Sequence, residues 1–287
     1  MSDYTIDQFS QITGLNKILI RTWENRYQFV TPKRSDTNIR MYDDQMVTKG
    51  IKYAILTENG HKISKLISLN DQEINSIIEE TLDNTDNETK ISIYISNFIE
   101  ACLFFNQKLF NDTYKECYNK LGIEKLYTEV LMDTMNRIGI LWLNSQISPA
   151  NEHFISENIR IKISSEIESQ NDEPSKKNKW ILYLPENEYH DIGLLFAYLL
   201  LKTKGHPVIY LGQNLPKGSL NEFKNNKYNL LSFFISNKSE EFISETTNFL
   251  YNNFRDSQVY IISKNLEFDK KFKNIKNIGF KEFVNEI

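Results

Sequence analysis

The sequence is poor in the residues that staple, break or anchor a chain. It has two cysteines, Cys102 and Cys117, in 287 residues. They lack metal-ligand spacing and cannot make a disulfide framework, so they read as ordinary thiols in a reducing cytoplasm. Its four histidines, His61, His153, His190 and His206, form no nucleophile or hydrolytic metal motif, which leaves catalysis without a constellation. The longest apolar run, Leu194 to Leu201, is far too short to cross a bilayer, and no basic segment leads into an apolar one at the start. A soluble cytoplasmic protein with no membrane contact is expected. An excess of charge of one sign is also missing. The formal net charge is −4, so any nucleic-acid surface must be local.

Charge by segment finds that surface. Residues 1 to 69 hold ten Lys and Arg against seven Asp and Glu, which leaves the rest of the chain acidic. Thr5 and Gln8 have capping-box spacing before a short helix with Ile6, Phe9 and Ile12 on one face, and Gly14 turns the chain. Asn16 caps a second helix in which Ile18, Leu19 and Trp23 are expected inside, with Lys17, Arg21, Thr22 and Arg26 facing solvent. This is helix-turn-helix text, its second helix placed for the major groove. Pro32-Lys33-Arg34-Ser35 and Arg40-Met41-Tyr42 follow as a basic wing whose guanidinium groups would meet phosphates.

Residues 4 to 69 resemble the MerR family through Leu19-Ile20-Arg21-Thr22-Trp23-Glu24-Asn25-Arg26-Tyr27, then Pro32-Lys33-Arg34, Arg40-Met41-Tyr42-Asp43, Gly60, and the Ile63, Ile67, Leu69 pattern of a fourth helix. The resemblance implies that Arg21, Arg26, Tyr27, Arg34 and Arg40 lie along double-stranded DNA, with Trp23, Leu19 and Tyr42 as core. It implies a self-associating protein on an inverted repeat in a promoter. Most such contacts position the protein and specify no base. Where the family has a wing glycine before Arg40, this chain has Asn38-Ile39, and asparagine tolerates the left-handed conformation.

Residues 70 to 170 contain one proline, Pro149, and two glycines, Gly122 and Gly139, with helical spacing at Ile91, Ile95, Phe98, Cys102 and Phe105, the pattern of a helical bundle. The polar stretch Asp83 to Lys90 reads as its connection to the reader. Trp142 and the pair Glu152-His153 stand in the bundle. Taken alone they could equally be a functional group or ordinary core with a capped helix, and the second is the preferred reading.

After a polar linker at Ser175 to Lys179, strands at 180–184, 207–211, 230–235 and 259–262 alternate with helices at 190–204, 217–225 and 239–252, as a doubly wound parallel sheet of flavodoxin-like type requires. The carboxyl ends of such strands bind ligands, and Glu188-Tyr189-His190-Asp191-Ile192-Gly193 falls there. His190 can offer a neutral nitrogen to a metal while Glu188 holds the other ring nitrogen, and Gly193 would let a flat ligand approach the backbone.

Residues 90 to 287 resemble the cobalamin-binding module shared by corrinoid proteins and by light-responsive MerR-type regulators of the CarH and LitR type, through Trp142 with Glu152-His153 and through Glu188-x-His190-x-x-Gly193. The resemblance implies that His190 is the lower axial ligand of cobalt. Trp142, Glu152 and His153 would close over the upper face where an adenosyl group sits, with Leu211-Gly212-Gln213-Asn214 and Ser236 meeting the corrin and its tail. It further implies a tetramer on DNA in darkness and release of DNA when light breaks the cobalt–carbon bond of adenosylcobalamin. Where the family has Gly-Gly after the last strand, this chain has Ser263-Lys264, and Leu143 replaces a histidine that can follow the bundle tryptophan. The expected organisation is a winged helix-turn-helix at 1–75, a bundle at 86–172 and an α/β domain at 178–287. The expected protein is a regulator, a repressor, that forms a homodimer or homotetramer. Two alternatives are a cobalamin-independent regulator whose last module docks a partner, and a corrinoid carrier for methyl transfer.

Overall fold

The computed structural model describes residues 4–84, 87–143, 147–170, 173–236, 238–263 and 272–287, in two compact units, 1–155 and 156–287. In the first unit, β1 (Tyr4–Thr5) runs into α1 (Ile6–Thr13), α2 (Lys17–Tyr27) follows, and β2 (Lys33–Arg34) and β3 (Arg40–Tyr42) form the wing. The Thr5 and Gln8 capping box forms, Gln8 N donating to Thr5 Oγ1 at 3.4 Å and Thr5 N to Gln8 Oε1 at 2.8 Å. Asn16 caps α2 by accepting from Ile18 N at 2.8 Å. Asn38 takes φ 63° at the wing turn, so the asparagine does serve where a glycine was absent. β1 adds a strand that the sequence did not announce, pairing antiparallel with β3 at Tyr4 and Tyr42.

The phase of α2 differs from expectation. Ile20 and Trp23 are the buried pair, at 0% and 4% exposure, whereas Ile18 is 73% and Leu19 39% exposed. Leu19 and Ile20, four and three residues before Trp23, could each share its face; Ile20 is the one packed inside, and Ile18 and Leu19 turn outward. Phe9, Phe29 and Tyr42 complete the buried centre of this segment.

Helices α3 (Asp44–Glu58), α4 (Ile63–Leu66), α5 (Asp71–Asn84) and α6 (Asn87–Leu103) follow. The fourth-helix pattern is a single turn whose buried residue is Leu66. The polar stretch 83–90 is largely taken up by the ends of α5 and α6, and residues 85–86 lie outside the described residues. The bundle goes on through α7 (Gln107–Lys125), interrupted at Gly122 with φ 76°, a π-helical turn at Leu126–Leu131, and α8 (Met132–Leu143). Ile95, Phe98 and Cys102 are core as their spacing predicts, but Phe105 lies beyond the end of α6 at φ 50° and is exposed. Both cysteines are free and buried, and burial pushes each thiol up to about 12. They are packing groups.

Helix α9 (Pro149–Ser169) begins in the first unit and ends in the second, with proline in its first turn, where its missing N–H is no loss. The second unit holds β4 (Trp180–Pro185), α10 (Ile192–Thr203), β5 (Val208–Leu215), a 3₁₀ segment at Lys217–Phe223, β6 (Asn229–Phe234), α11 (Glu240–Asn253), β7 (Val259–Ser263), β8 (Ile275–Ile278) and α12 (Phe280–Glu286). The sheet is parallel in the order β5-β4-β6-β7-β8. Every residue of β4 is buried, as expected of a strand covered on both faces. β8 and α12 are additions to the predicted alternation, and the helix expected at 217–225 is a 3₁₀ segment. Gly212 to Asn214, beyond the end of the expected strand, also belong to β5. A break in register opposite Tyr183, with Gly212 at φ 74°, carries the strand on to Leu215.

Gly193, in the first turn of α10, faces the Phe233 ring, and a Cβ there would lie 2.8 Å from Phe233 Cε1. Close packing of helix on sheet therefore requires glycine at this position. Alanine favours a helix over glycine by about 1 kcal/mol, so Gly193→Ala would stabilise the fold if space were available. Overpacking against Phe233 reverses the sign, and a net loss of about 1–3 kcal/mol is expected, read as a lower urea midpoint with an unchanged slope.

Candidate nucleic-acid interface and cofactor site

Lys17, Arg21, Arg26, Lys33 and Arg34 are exposed, while Thr22, Tyr27 and Arg40 are half-buried. Thr22 donates its hydroxyl to Ile18 O at 2.7 Å. Arg34 donates to Asn38 O and Oδ1 at 3.1 and 2.8 Å and braces the wing turn. Lys17 pairs with Asp7.

The residue that organises this surface is an acid. Glu24, its side chain 7% exposed, accepts from Arg40 Nε at 3.0 Å and from Tyr42 Oη at 2.5 Å. Burial and then the Glu24 bond push the Tyr42 phenol well above its ordinary range, so it stays a donor at any physiological pH. One carboxylate thus ties the middle of α2 to β3 and fixes the angle between helix and wing. Sequence reading passed over Glu24 because an acid in a basic segment looks like a solvated side chain; its spacing one residue after the buried Trp23 was the available sign.

The second unit holds the other cluster. Loops after β4 and β6 meet at the point where the strand order reverses, the place where open α/β sheets bind ligands. Glu188 is fully buried there. Its Oε2 accepts from Ile235 N at 3.0 Å, Ser236 N at 2.8 Å and Ser236 Oγ at 2.8 Å. Its Oε1 stands 2.5 Å from His190 Nδ1 and accepts from His190 N at 3.4 Å. Lys238, its side chain 9% exposed, lies 3.8 Å from Oε2 and donates to Asn187 O at 2.8 Å. Asn214, at φ 57°, fastens the same loop from β5, donating its N–H to Glu188 O at 3.1 Å and accepting from Asn187 N at 2.9 Å. Asp191 accepts from Arg160 Nη2 of α9 at 2.8 Å.

Burial pushes the Glu188 carboxyl up, but the bonds from His190 and Ser236 outweigh it and hold the group down at about 2. Ser236 spends its hydroxyl on Glu188, which makes it a positioning residue for the loop. His190 is the exposed member, its side chain 63% open, and with Nδ1 committed to the carboxylate, coordination would fall to Nε2.

In the first unit, Asn151 sets the start of α9. Its Oδ1 accepts from Ser148 N and Oγ at 3.1 and 2.8 Å, and its Nδ2 donates to Cys102 O and Leu103 O at 2.9 and 3.2 Å. The neighbouring Glu152 and His153 are open to solvent, their side chains 41% and 71% exposed, with 3.9 Å between Oε2 and Nδ1. Trp142 is 46% exposed. The reading of this tryptophan, acid and imidazole as ordinary core is therefore excluded. Nothing is described of the Leu143 side chain or of Lys264. Ser263 donates to Asn277 Oδ1 at 2.9 Å, so its hydroxyl is taken up within the sheet edge.

No group of three or more His, Cys, Asp or Glu side chains among the described residues could hold a bare metal ion. A metal at His190 would have to bring most of its ligands with it, and His190, its imidazole backed by a buried carboxylate, would hold it through one nitrogen.

Residues 4–67 match the MerR HTH family regulatory protein description. Residues 94–164 match the B12 binding domain, on the bundle rather than the sheet. The HTH-type transcriptional repressor CarH of Myxococcus xanthus is 28% identical over 222 residues, covering 76% of this chain and 73% of that one. The chain is a MerR-type regulator with a B12-binding module. The HTH-type transcriptional repressor CarA of Myxococcus xanthus is 22% identical over 217 residues, covering 75% of the regulator and 70% of that protein. A solved monomethylamine corrinoid protein of Methanosarcina barkeri, 14% identical, shares the fold with a TM-score of 0.51, covering 65% of the regulator and 93% of that chain. Among the described residues, no helix is long and apolar enough to cross a membrane.

Two outcomes test these readings. Because the folded Glu188 carboxyl is held below its unfolded value of 4.5, its contribution to stability is complete above about pH 4.5 and is lost as pH falls toward about 2. Acid unfolding of Glu188→Gln should show a correspondingly flatter limb than the parent protein. Glu24→Ala removes a negative charge from a DNA-facing surface, which alone would strengthen binding. Freeing Arg40 and Tyr42 should instead weaken it about tenfold in fluorescence anisotropy, and a gain in affinity would show that Glu24 acts only as a charge.

Proposed function

We propose that the regulator is a transcriptional repressor whose hold on duplex DNA is controlled by adenosylcobalamin bound with His190 as the lower axial ligand. The observation that carries this is the exposed His190 ring with its Nδ1 2.5 Å from the buried Glu188 carboxylate. When bound, an alkylcobalamin supplies a cobalt–carbon bond that light can break. Glu188 fixes the tautomer and aim of His190, and Ser236 with Lys238 keeps Glu188 in place. Trp142, Glu152 and His153, each exposed, are the residues that would lie against the adenosyl group, and the resemblance to light-responsive MerR-type regulators supports light control. In this reading residues 1–75 read DNA, 86–172 cap the cofactor and 178–287 hold it. The chain works as a homodimer or homotetramer on an inverted repeat, and Lys17, Arg21, Thr22, Arg26, Tyr27, Lys33, Arg34 and Arg40 line the duplex.

The Ser263–Asn277 bond and the packing of Gly193 on Phe233 favour a second reading, in which the sheet domain docks a protein partner without cobalamin. Purification in darkness with adenosylcobalamin, followed by desalting and a visible spectrum, separates the two. The first reading expects a coloured protein, a spectrum altered in His190→Ala, and a gel shift that differs between dark and lit samples. A colourless protein with equal dark and lit shifts overturns it.

A further inference from the structure

The outward face of α2 is not uniformly basic. Its first turn presents Ile18, 73% exposed, with Leu19 beside it at 39%. Ile18, Arg21, Thr22 and Asn25 stand at i, i+3, i+4 and i+7, so they share one face, and the buried Ile20 and Trp23 lie on the other. Thr22 has already given its hydroxyl to Ile18 O, which leaves its methyl as the group available for contact. An aliphatic side chain this exposed gains nothing in water. It stands on the turn of a recognition helix that reaches base edges, with Lys17, Arg21 and Arg26 around it to hold phosphate.

We infer that Ile18, supported by the Thr22 methyl, reads the 5-methyl group of a thymine in the major groove and so selects an A·T pair at one position of each half-site. Of the four bases only thymine carries an apolar group on its major-groove edge. A cytosine there would put an amino donor against the isoleucine, with nothing in the side chain to accept from it. The inference rests on the DNA-binding reading above and adds to it a residue that specifies sequence rather than position.

The test uses the full chain in darkness with adenosylcobalamin. Duplexes are enriched from a random pool, and each thymine of the enriched duplex is then replaced in turn by deoxyuridine, which removes only the methyl. At one thymine per half-site the replacement should weaken the parent protein about fourfold, the worth of one buried methyl-sized group. Ile18→Ala should bind the thymine duplex about fourfold more weakly than the parent and no longer distinguish thymine from deoxyuridine. Arg21→Ala should weaken both duplexes equally. A parent protein that binds its enriched duplex tightly and is indifferent to every deoxyuridine overturns the thymine reading and leaves DNA binding standing. A pool that yields no enriched duplex overturns the DNA-binding reading itself.

Discussion

A carboxylate sealed from water at the switch point of a parallel sheet must be met by donors, and Glu188 is met by five, from His190, Ile235 and Ser236. The requirement is electrostatic, because a buried charge lacking partners is too costly to keep. Its result is geometric. The loop after β4 and the loop after β6 cannot shift relative to each other without stranding a charge, so the backbone around His190 is held although the ring itself looks into solvent. Asn214, Asn187 and Lys238 tighten the same loop from two further directions. Rigid support beneath an exposed imidazole suits it to hold a metal-bearing group, since orientation and basicity would then be fixed before binding.

The same device appears at the other end of the chain. Glu24, its side chain 7% exposed, joins a helix to a strand where the fully buried Glu188 joins two loops. In each place one acid ties its own segment to another and turns the two into a single part. Asn151 does comparable work with an uncharged amide between α6 and α9.

Much of this was legible in the chain, and the failures have physical causes. The capping box at Thr5, the caps at Asn16 and Asn38's left-handed turn were read from local chemistry, which acts over a few residues and leaves a clear pattern. The order of β4, α10, β5, β6, α11 and β7 followed from apolar runs between turn formers. The phase of α2 did not, because Leu19-Ile20 offers two aliphatic neighbours and only tertiary packing chooses between them. β8 and α12 escaped for their shortness, and β5 was cut at Gly212, where a bulge in a strand looks like its end. Glu188 and His190 were found as a pair from a spacing of two residues. Ser236 was named as a contact of a cofactor and turns out to hold Glu188, a partnership 48 residues apart that no local pattern reveals. Gly193 was assigned to a ligand, and the neighbour that explains it, Phe233, comes from a different strand.

The clamp at Glu24 also bears on how tightly the protein's grip is tied to ionic strength. Of six cations on the outer side of the reader, Lys17 and Arg40 already answer to Asp7 and Glu24. Among the described residues, Arg21, Arg26, Lys33 and Arg34 have no such acid. Counterions displaced from a duplex scale with the positive groups that reach its phosphates. A surface with two of its charges internally compensated releases fewer of them, and it trades part of its long-range pull for a complex that survives swings in cellular potassium.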